Sequence, residues 1–362
     1  MFRMIPPGLA EAARLTRQGR LKEATALLQG SLAGTRPKPT PARPATRGRI
    51  FEVDPATGDA TPPGRAGFFS RAQGRPRPAP PLAMPEGARF LRGGFGAAQG
   101  ERAWRLYIPA SLPAGPVPLL VMLHGCTQTP EDFAAGTRMN ALAEAEPRLV
   151  LYPEQSGTAN AQRCWNWFQP GDQRRDQGEP ALIAGMVRQV MRDHAVDPRR
   201  VHVAGLSAGG AAAAIMGESY PELFAAVGVH SGLACGAAQN LPSALAAMRQ
   251  GGGTSTVLAT ARPTIVFHAD QDRTVHPVNG DQVMARAGAA GLRAEVERGQ
   301  VPGGHAFTRT RHSDTAGRVM LEQWLVHGGG HAWSGGDAAG SYTDPLGPDA
   351  SRAMLDFFRR HG

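Results

Sequence analysis

Lysine is nearly missing from this chain of 362 residues. It stands only at Lys22 and Lys38, so the formal charge of +9 at pH 7 is carried almost wholly by arginine. A basic balance can mark a nucleic-acid or membrane-surface partner. Here much of the excess falls in the N-terminal part and no nucleic-acid-binding motif accompanies it, so no nucleic-acid partner is expected. Cysteine occurs three times, at Cys126, Cys164 and Cys235, which excludes a disulfide framework. No apolar run approaches the roughly 20 residues that span a bilayer, so no transmembrane segment is expected. Arg3, Glu11, Arg14, Arg17 and Arg20 interrupt any apolar leader. The chain therefore reads as lacking a signal peptide and as cytoplasmic, with an extracellular place as the alternative. The oligomeric state is open.

Hydrophobic residues make up 41% and charged residues 19%, the composition of a globular chain. Three regions are expected. Residues 1–33 have near-helical apolar spacing through Leu9, Leu15, Leu21, Leu28 and Leu32. Residues 34–85 are rich in Pro, Arg, Gly and Thr and read as an extended or disordered linker. Residues 86–362 form the catalytic domain.

The most informative segment is Val201-His202-Val203-Ala204-Gly205-Leu206-Ser207-Ala208-Gly209-Gly210. A β-branched run ends in Gly-x-Ser-x-Gly and a run of small residues follows. That pattern fits a nucleophile elbow, in which a sharp strand-to-helix turn exposes a serine hydroxyl. A serine nucleophile needs a base and an orienting acid, and in this topology they follow it in the order acid, then histidine. The acid candidate is Asp272, at the end of the apolar run Thr264–Phe267, with Asp270 as its rival. The base candidate is His331, after Val319–Val326 and a Gly328-Gly329-Gly330 tether, with His327 as its rival. Histidine suits the task because it titrates near neutral pH. The run Leu119–Leu123 ends in His124-Gly125-Cys126, where such an enzyme places one oxyanion donor. The amides of Cys126 and Ala208 are the candidate pair, and His124 is read as shaping the loop. Trp165, Trp167 and Phe168, with Trp333, are candidate walls for a substrate, the alternative being core beneath a long loop. No metal is expected. His327 and His331 have i,i+4 spacing, but three glycines between them oppose the helix a zinc motif needs. No cofactor is expected.

The loop His124-Gly125-Cys126-Thr127-Gln128, the segment Arg163-Cys164-Trp165-Asn166-Trp167-Phe168, the Gly205–Gly210 elbow and the loop Gly329-Gly330-His331-Ala332-Trp333 together resemble the poly(3-hydroxybutyrate) depolymerase-type esterases. That group is related to feruloyl and acetylxylan esterases. The resemblance covers roughly residues 89–358. It implies an α/β-hydrolase fold, with a mostly parallel central sheet and helices on both faces. It implies Ser207, Asp272 and His331 as a triad, Cys126 and Ala208 as oxyanion donors, and a polyester, oligoester or acyl-ester substrate. Feruloyl or acetylxylan ester hydrolysis is the alternative, and a serine peptidase or a non-enzymatic binding protein lies further off. Cys126 and Cys164 both fall in these segments, so a bridge between them is open, which would leave Cys235 free.

Along the domain, strands are expected at Trp104–Ile108, Leu119–Leu123, Leu149–Tyr152, Val201–Ala204, Ala225–His230, Thr264–Phe267 and Arg318–Val326. Helices are expected at Asp132–Ala145, Leu182–His194 and Ala350–Arg360. A small lid is a candidate within Ser231–Arg262, where the glycines at 251–253 argue for mobility. Alternating strands and helices imply a parallel sheet with right-handed crossovers.

Overall fold

The structure of the chain, a computed structural model, describes residues 84–253, 262–288 and 291–362 and the backbone at 52–53 and 60–61. The helical segment expected over 1–33 lies outside these residues. So does the linker expected over 34–85, apart from residues 84–85 and the antiparallel pair Glu52–Val53 with Ala60–Thr61. The chain divides between Gln73 and Gly74, and the second unit carries everything below.

That unit opens with an antiparallel hairpin, Arg89–Ala97 (β1) and Gly100–Ile108 (β2). Gly93 pairs with Trp104, and a Cβ at Gly93 would lie 2.1 Å from the indole, so the glycine makes room for the ring. Val117–Leu123 (β3) follows, then Pro130–Thr137 (α1) and Met139–Ala145 (α2), then Leu149–Pro153 (β4). A single helix was expected over 132–145. Arg138 instead adopts φ 55° and divides it, with the Thr129 side chain and Pro130 fixing the start of α1. Gly178–Asp193 (α3), Val196–Leu206 (β5), Ala208–Ser219 (α4), Ala226–His230 (β6), Leu241–Gln250 (α5), Thr264–Ala269 (β7) and Val278–Arg286 (α6) continue the alternation. Arg293–Gln300 (β8) and Ala306–Ser313 (β9) form a second hairpin before Val319–His327 (β10). Two-residue strands Trp333–Ser334 (β11) and Thr343–Asp344 (β12) pair in parallel, and Ala350–Phe358 (α7) closes the chain.

The main sheet has ten strands in the order β8-β9-β10-β7-β6-β5-β3-β4-β2-β1. The six from β10 to β4 run parallel, and both ends are antiparallel. Leu119, Val121, Leu149, Leu151, Val201 and Val203 are buried because helices cover both faces of these strands. One face packs α3, α4 and the inner sides of α5 and α6, and the other packs α1, α2 and α7. This is the α/β-hydrolase arrangement.

The lid segment contains α5, held by Asn279 Nδ2–H to Ala247 O (3.0 Å) and the His276 amide to Met248 O (2.7 Å). Two of the three glycines read as mobile serve close packing, and Gly253 is exposed with open space around it. Gly251 caps α5 at φ 88°, and a Cβ at buried Gly252 would sit 2.4 Å from Ala237 O. Residues 254–261 of that segment lie outside the described residues.

The β8–β9 hairpin gave no sequence signal because its strands are mostly polar and charged, with ion pairs at the middle of the register. Glu297 faces Arg309 and Glu295 faces Arg311. The hairpin is tied to the core through Glu322 of β10, whose side chain is fully buried. Arg309 holds both its oxygens at 3.1 and 3.0 Å, Arg360 donates at 3.1 Å, and Trp324 Nε1–H donates at 2.8 Å. Removing one partner from a buried ionic cluster leaves uncompensated charge, which costs about 3–5 kcal/mol. Glu322→Ala is therefore expected to lower the unfolding free energy in urea by about that amount. A loss below about 1 kcal/mol would contradict this reading.

Candidate active site

The site lies at the C-terminal edge of β3, β5, β7 and β10. Ser207 is the residue between β5 and α4, with φ 57° and ψ −118°. A non-glycine residue there carries strain of about 1–3 kcal/mol, which the surroundings must hold in place. They do so through space rather than dihedral freedom. A Cβ at Gly205 would lie 2.3 Å from Gly209 O, and one at Gly209 would lie 2.0 Å from Leu123 O and 2.5 Å from His124 O. The Ser207 amide donates to His230 O at 2.9 Å.

Asp272 and His331 meet. His331 Nδ1 lies 2.7 Å from Asp272 Oδ2, and Asp272 Oδ1 accepts from the Thr274 and Val275 amides at 2.9 and 2.8 Å. The Asp272 side chain is wholly buried and that of His331 13% exposed. Burial alone would raise the carboxyl pKa. Hydrogen bonds from His268 and His331 and from the Val275 amide outweigh it and hold the group well below the usual carboxylate range. His268 Nε2 lies 2.8 Å from Val275 O and 3.5 Å from Asp272 Oδ2; it faces two acceptors and so carries the proton. The rival residues form a separate pair. His327 Nδ1 lies 2.9 Å from Asp270 Oδ2 and takes no part in the Asp272 cluster. Among the described residues, Ser207 Oγ and His331 Nε2 have no hydrogen-bond partner. Such bonds are often long before substrate binds.

Cys126 and Cys164 are bridged, with their Cα atoms 4.2 Å apart, and Cys235 is free and buried. The bridge joins the His124–Gln128 loop to the Arg163–Phe168 segment. The Gly125 amide donates to Gln128 Oε1 at 2.9 Å, and Thr127, at φ 67°, donates its amide to Gln162 O at 2.7 Å. Neither the Cys126 nor the Ala208 amide meets a protein acceptor among the described residues. His124 is buried: its Nε2 accepts from the Gln155 amide at 3.1 Å, so Nδ1 carries hydrogen and donates to Gly125 O at 2.8 Å.

The walls expected of Trp165, Trp167 and Trp333 are a correction. Trp165 and Trp333 are 1% exposed and Trp167 6%, so they hold the site from behind and leave a substrate almost no surface to touch. Trp165 Nε1–H donates to His124 O at 3.1 Å, and Trp333 Nε1–H donates to Ser351 Oγ at 3.0 Å. Sequence reasoning missed the buried supports. Glu179 accepts from the Asn166 amide and Nδ2 at 2.7 and 2.8 Å, and burial pushes its pKa up. Gln128 Nε2 donates to Asp132 Oδ2 and Ser341 O at 2.9 and 3.1 Å. Tyr342, at φ 52° and partly exposed, places its hydroxyl 3.0 Å from Thr127 Oγ1. Single polar residues on helices and loops carry no spacing pattern that would have marked them.

Three buried histidines stay neutral because burial disfavours their charged forms. The pKa falls from 6.5 to about 4 for His124, about 4 for His202 and about 3 for His230. His230 stacks between Phe267 and Trp333, and its Nε2 accepts from the Ser334 amide at 2.9 Å. The unfolded chain binds these protons below pH 6.5 and the folded chain does not, so stability falls as pH drops from about 6.5 towards about 4. Each group adds up to about 1.4 kcal/mol per pH unit. The guanidinium midpoint is expected to fall steadily between pH 7 and pH 5, with a shallower slope in His202→Gln. An unchanged midpoint over that range would contradict it.

Comparison with known proteins places this geometry. A family model described as "Esterase PHB depolymerase" matches residues 102–295. The chain is 31% identical over 251 residues to a poly(3-hydroxyalkanoate) depolymerase C of Paucimonas lemoignei, covering 66% of this chain and 60% of that protein. It is 27% identical over 290 residues to a poly(3-hydroxybutyrate) depolymerase of Ralstonia pickettii, covering 72% and 58%. The chain thus spans about three fifths of the length of these relatives. An acetyl xylan esterase from Aspergillus awamori aligns with a TM-score of 0.57 at 20% identity, over 75% of this chain and 99% of that one, and shares the fold. The chain belongs to the PHB depolymerase esterase family.

Proposed function

We propose that the protein is a serine esterase that hydrolyses carboxylic esters through an acyl-enzyme on Ser207. The observation that carries this reading is the buried Asp272–His331 pair, seated on the same sheet edge as a strained serine elbow. In this reaction His331 Nε2 takes the Ser207 proton as Oγ attacks the ester carbonyl. Nδ1–H, 2.7 Å from Asp272 Oδ2, fixes the tautomer, and the carboxylate stabilises the imidazolium. The amides of Cys126 and Ala208 receive the developing oxyanion, each worth about 3 kcal/mol in the transition state. His331 returns the proton to the leaving alkoxide, and water then clears the acyl group by the same route.

The substrates named for the relatives support a 3-hydroxyalkanoate polyester or its oligomers. The Cys126–Cys164 bridge supports an oxidising compartment over the cytoplasmic placement expected from the leading residues. A hydrolysis panel of 3-hydroxybutyrate oligomers, p-nitrophenyl esters of graded length, methyl ferulate and acetylated xylan tests the assignment. Turnover of the oligomers at the highest kcat/KM is expected, and a clear preference for ferulate or acetylxylan would replace the substrate class. On a short p-nitrophenyl ester, Ser207→Ala and Asp272→Asn are each expected to lower kcat by at least about a thousandfold. Full activity in Ser207→Ala would end the assignment.

A further inference from the structure

The second Asp–His pair lies at the root of the tether that carries His331. Two chain segments run side by side beyond the sheet edge: Asp270-Gln271-Asp272 after β7 and His327-Gly328-Gly329-Gly330-His331 after β10. Three consecutive glycines have wide backbone freedom, so the tether cannot by itself fix an imidazole. The neighbouring segment fixes it at three points. Asp270 Oδ1 accepts from the Gly328 amide at 2.8 Å and Asp270 Oδ2 meets His327 Nδ1 at 2.9 Å. The Gln271 amide donates to Gly329 O at 3.2 Å. Asp272 meets His331 at the far end. The Asp270 amide also donates to Val326 O at 3.0 Å, which continues the parallel pairing past the sheet edge.

His327 has a further partner. Its Nε2 lies 2.9 Å from Thr308 Oγ1 on β9. With Nδ1–H donating to Asp270, Nε2 is the acceptor and the Thr308 hydroxyl donates. The chain Thr308–His327–Asp270–Gly328 therefore ties the start of the tether to the β8–β9 hairpin. This gives a role to a hairpin whose charged residues the esterase reading leaves unexplained.

We propose that Asp270 and His327 are a positioning pair for the reaction, setting the reach of His331 by anchoring the first residue of its glycine tether. The proposal rests on the reading of His331 as the base. The pair touches neither Ser207 nor His331. It acts by removing the slack that would let the imidazole drift from its line between hydroxyl and carboxylate. A displacement of about 1 Å in a reacting group can cost on the order of a hundredfold in rate.

The test uses the full chain and the variants Asp270→Ala, His327→Ala and His327→Asn. Active sites are counted with a fluorophosphonate titrant, and kcat and KM are measured on p-nitrophenyl butyrate. The two side chains are 32% and 38% exposed, so their removal leaves the core intact. Both alanine variants are expected to keep a full count of titratable sites, with kcat per site lowered roughly ten- to a hundredfold and KM within about twofold. His327→Asn keeps an N–H donor where Nδ1 stood and is expected to recover to within about fivefold of the parent. A kcat per titrated site unchanged in both alanine variants, or a loss confined to KM or to the number of sites, would overturn the proposal. Failure of the parent protein to be titrated at Ser207 would instead remove the esterase reading beneath it.

Discussion

The backbone of Gly209 lies against the carbonyls of Leu123 and His124 so closely that even a methyl group has no room. The rest of the site depends on that contact. It presses the first turn of α4 onto the end of β3 and so brings the elbow at Ser207–Ala208 beside the loop at Gly125–Cys126. Ser207 and both candidate oxyanion amides thus share one backbone wall. Their spacing is set by hard contact between main-chain atoms rather than by mobile side chains. The strain held at Ser207 persists because the same contact leaves the turn no other course.

Around this wall the chain arranges layers of support. The disulfide and the Trp165 indole hold the His124–Gln128 loop from one side, and Gln128, Asp132 and Ser341 hold it from the other. The segment 341–344 also pairs with Trp333–Ser334, just beyond His331. The His124–Gln128 loop and the loop that carries His331 are therefore joined through one stretch of chain. His230 closes the circuit behind them: its carbonyl accepts from Ser207, its ring from Ser334. A ring kept neutral by burial suits that place, because a charge beside Ser207 and His331 would compete with the charge that the proposed reaction develops.

Much of this was legible in the sequence, for identifiable reasons. Buried parallel strands are continuous apolar runs, so β3 and β7 announced themselves to within two residues, whereas β5 begins five residues before its apolar run because Val196-Asp197-Pro198-Arg199-Arg200 is mostly polar. The Gly-x-Ser-x-Gly segment marked the elbow, although its glycines are required by close approach and the positive φ falls on the serine. The β8–β9 hairpin stayed hidden because its strands are mostly polar, with Glu295 and Glu297 paired to Arg311 and Arg309, which leaves no hydrophobic period. The break at Arg138 stayed hidden because arginine carries no intrinsic signal for φ 55°. Trp165 and Trp333 read as substrate walls because aromatic residues near a site look alike in sequence whether they face a ligand or a backbone carbonyl. The sequence favoured Asp272 and His331 over Asp270 and His327, but did not show that the rivals form a pair of their own, since Asp270 and Asp272 lie two residues apart and His327 and His331 four.

The most direct test is a crystal structure of the protein inactivated by an alkyl phosphonate, which mimics the tetrahedral intermediate. The account predicts phosphorus bonded to Ser207 Oγ, its anionic oxygen about 3 Å from the amides of Cys126 and Ala208, and His331 Nε2 facing the Ser207 oxygen. A phosphonyl group on another residue, or an anionic oxygen turned away from both amides, would contradict it.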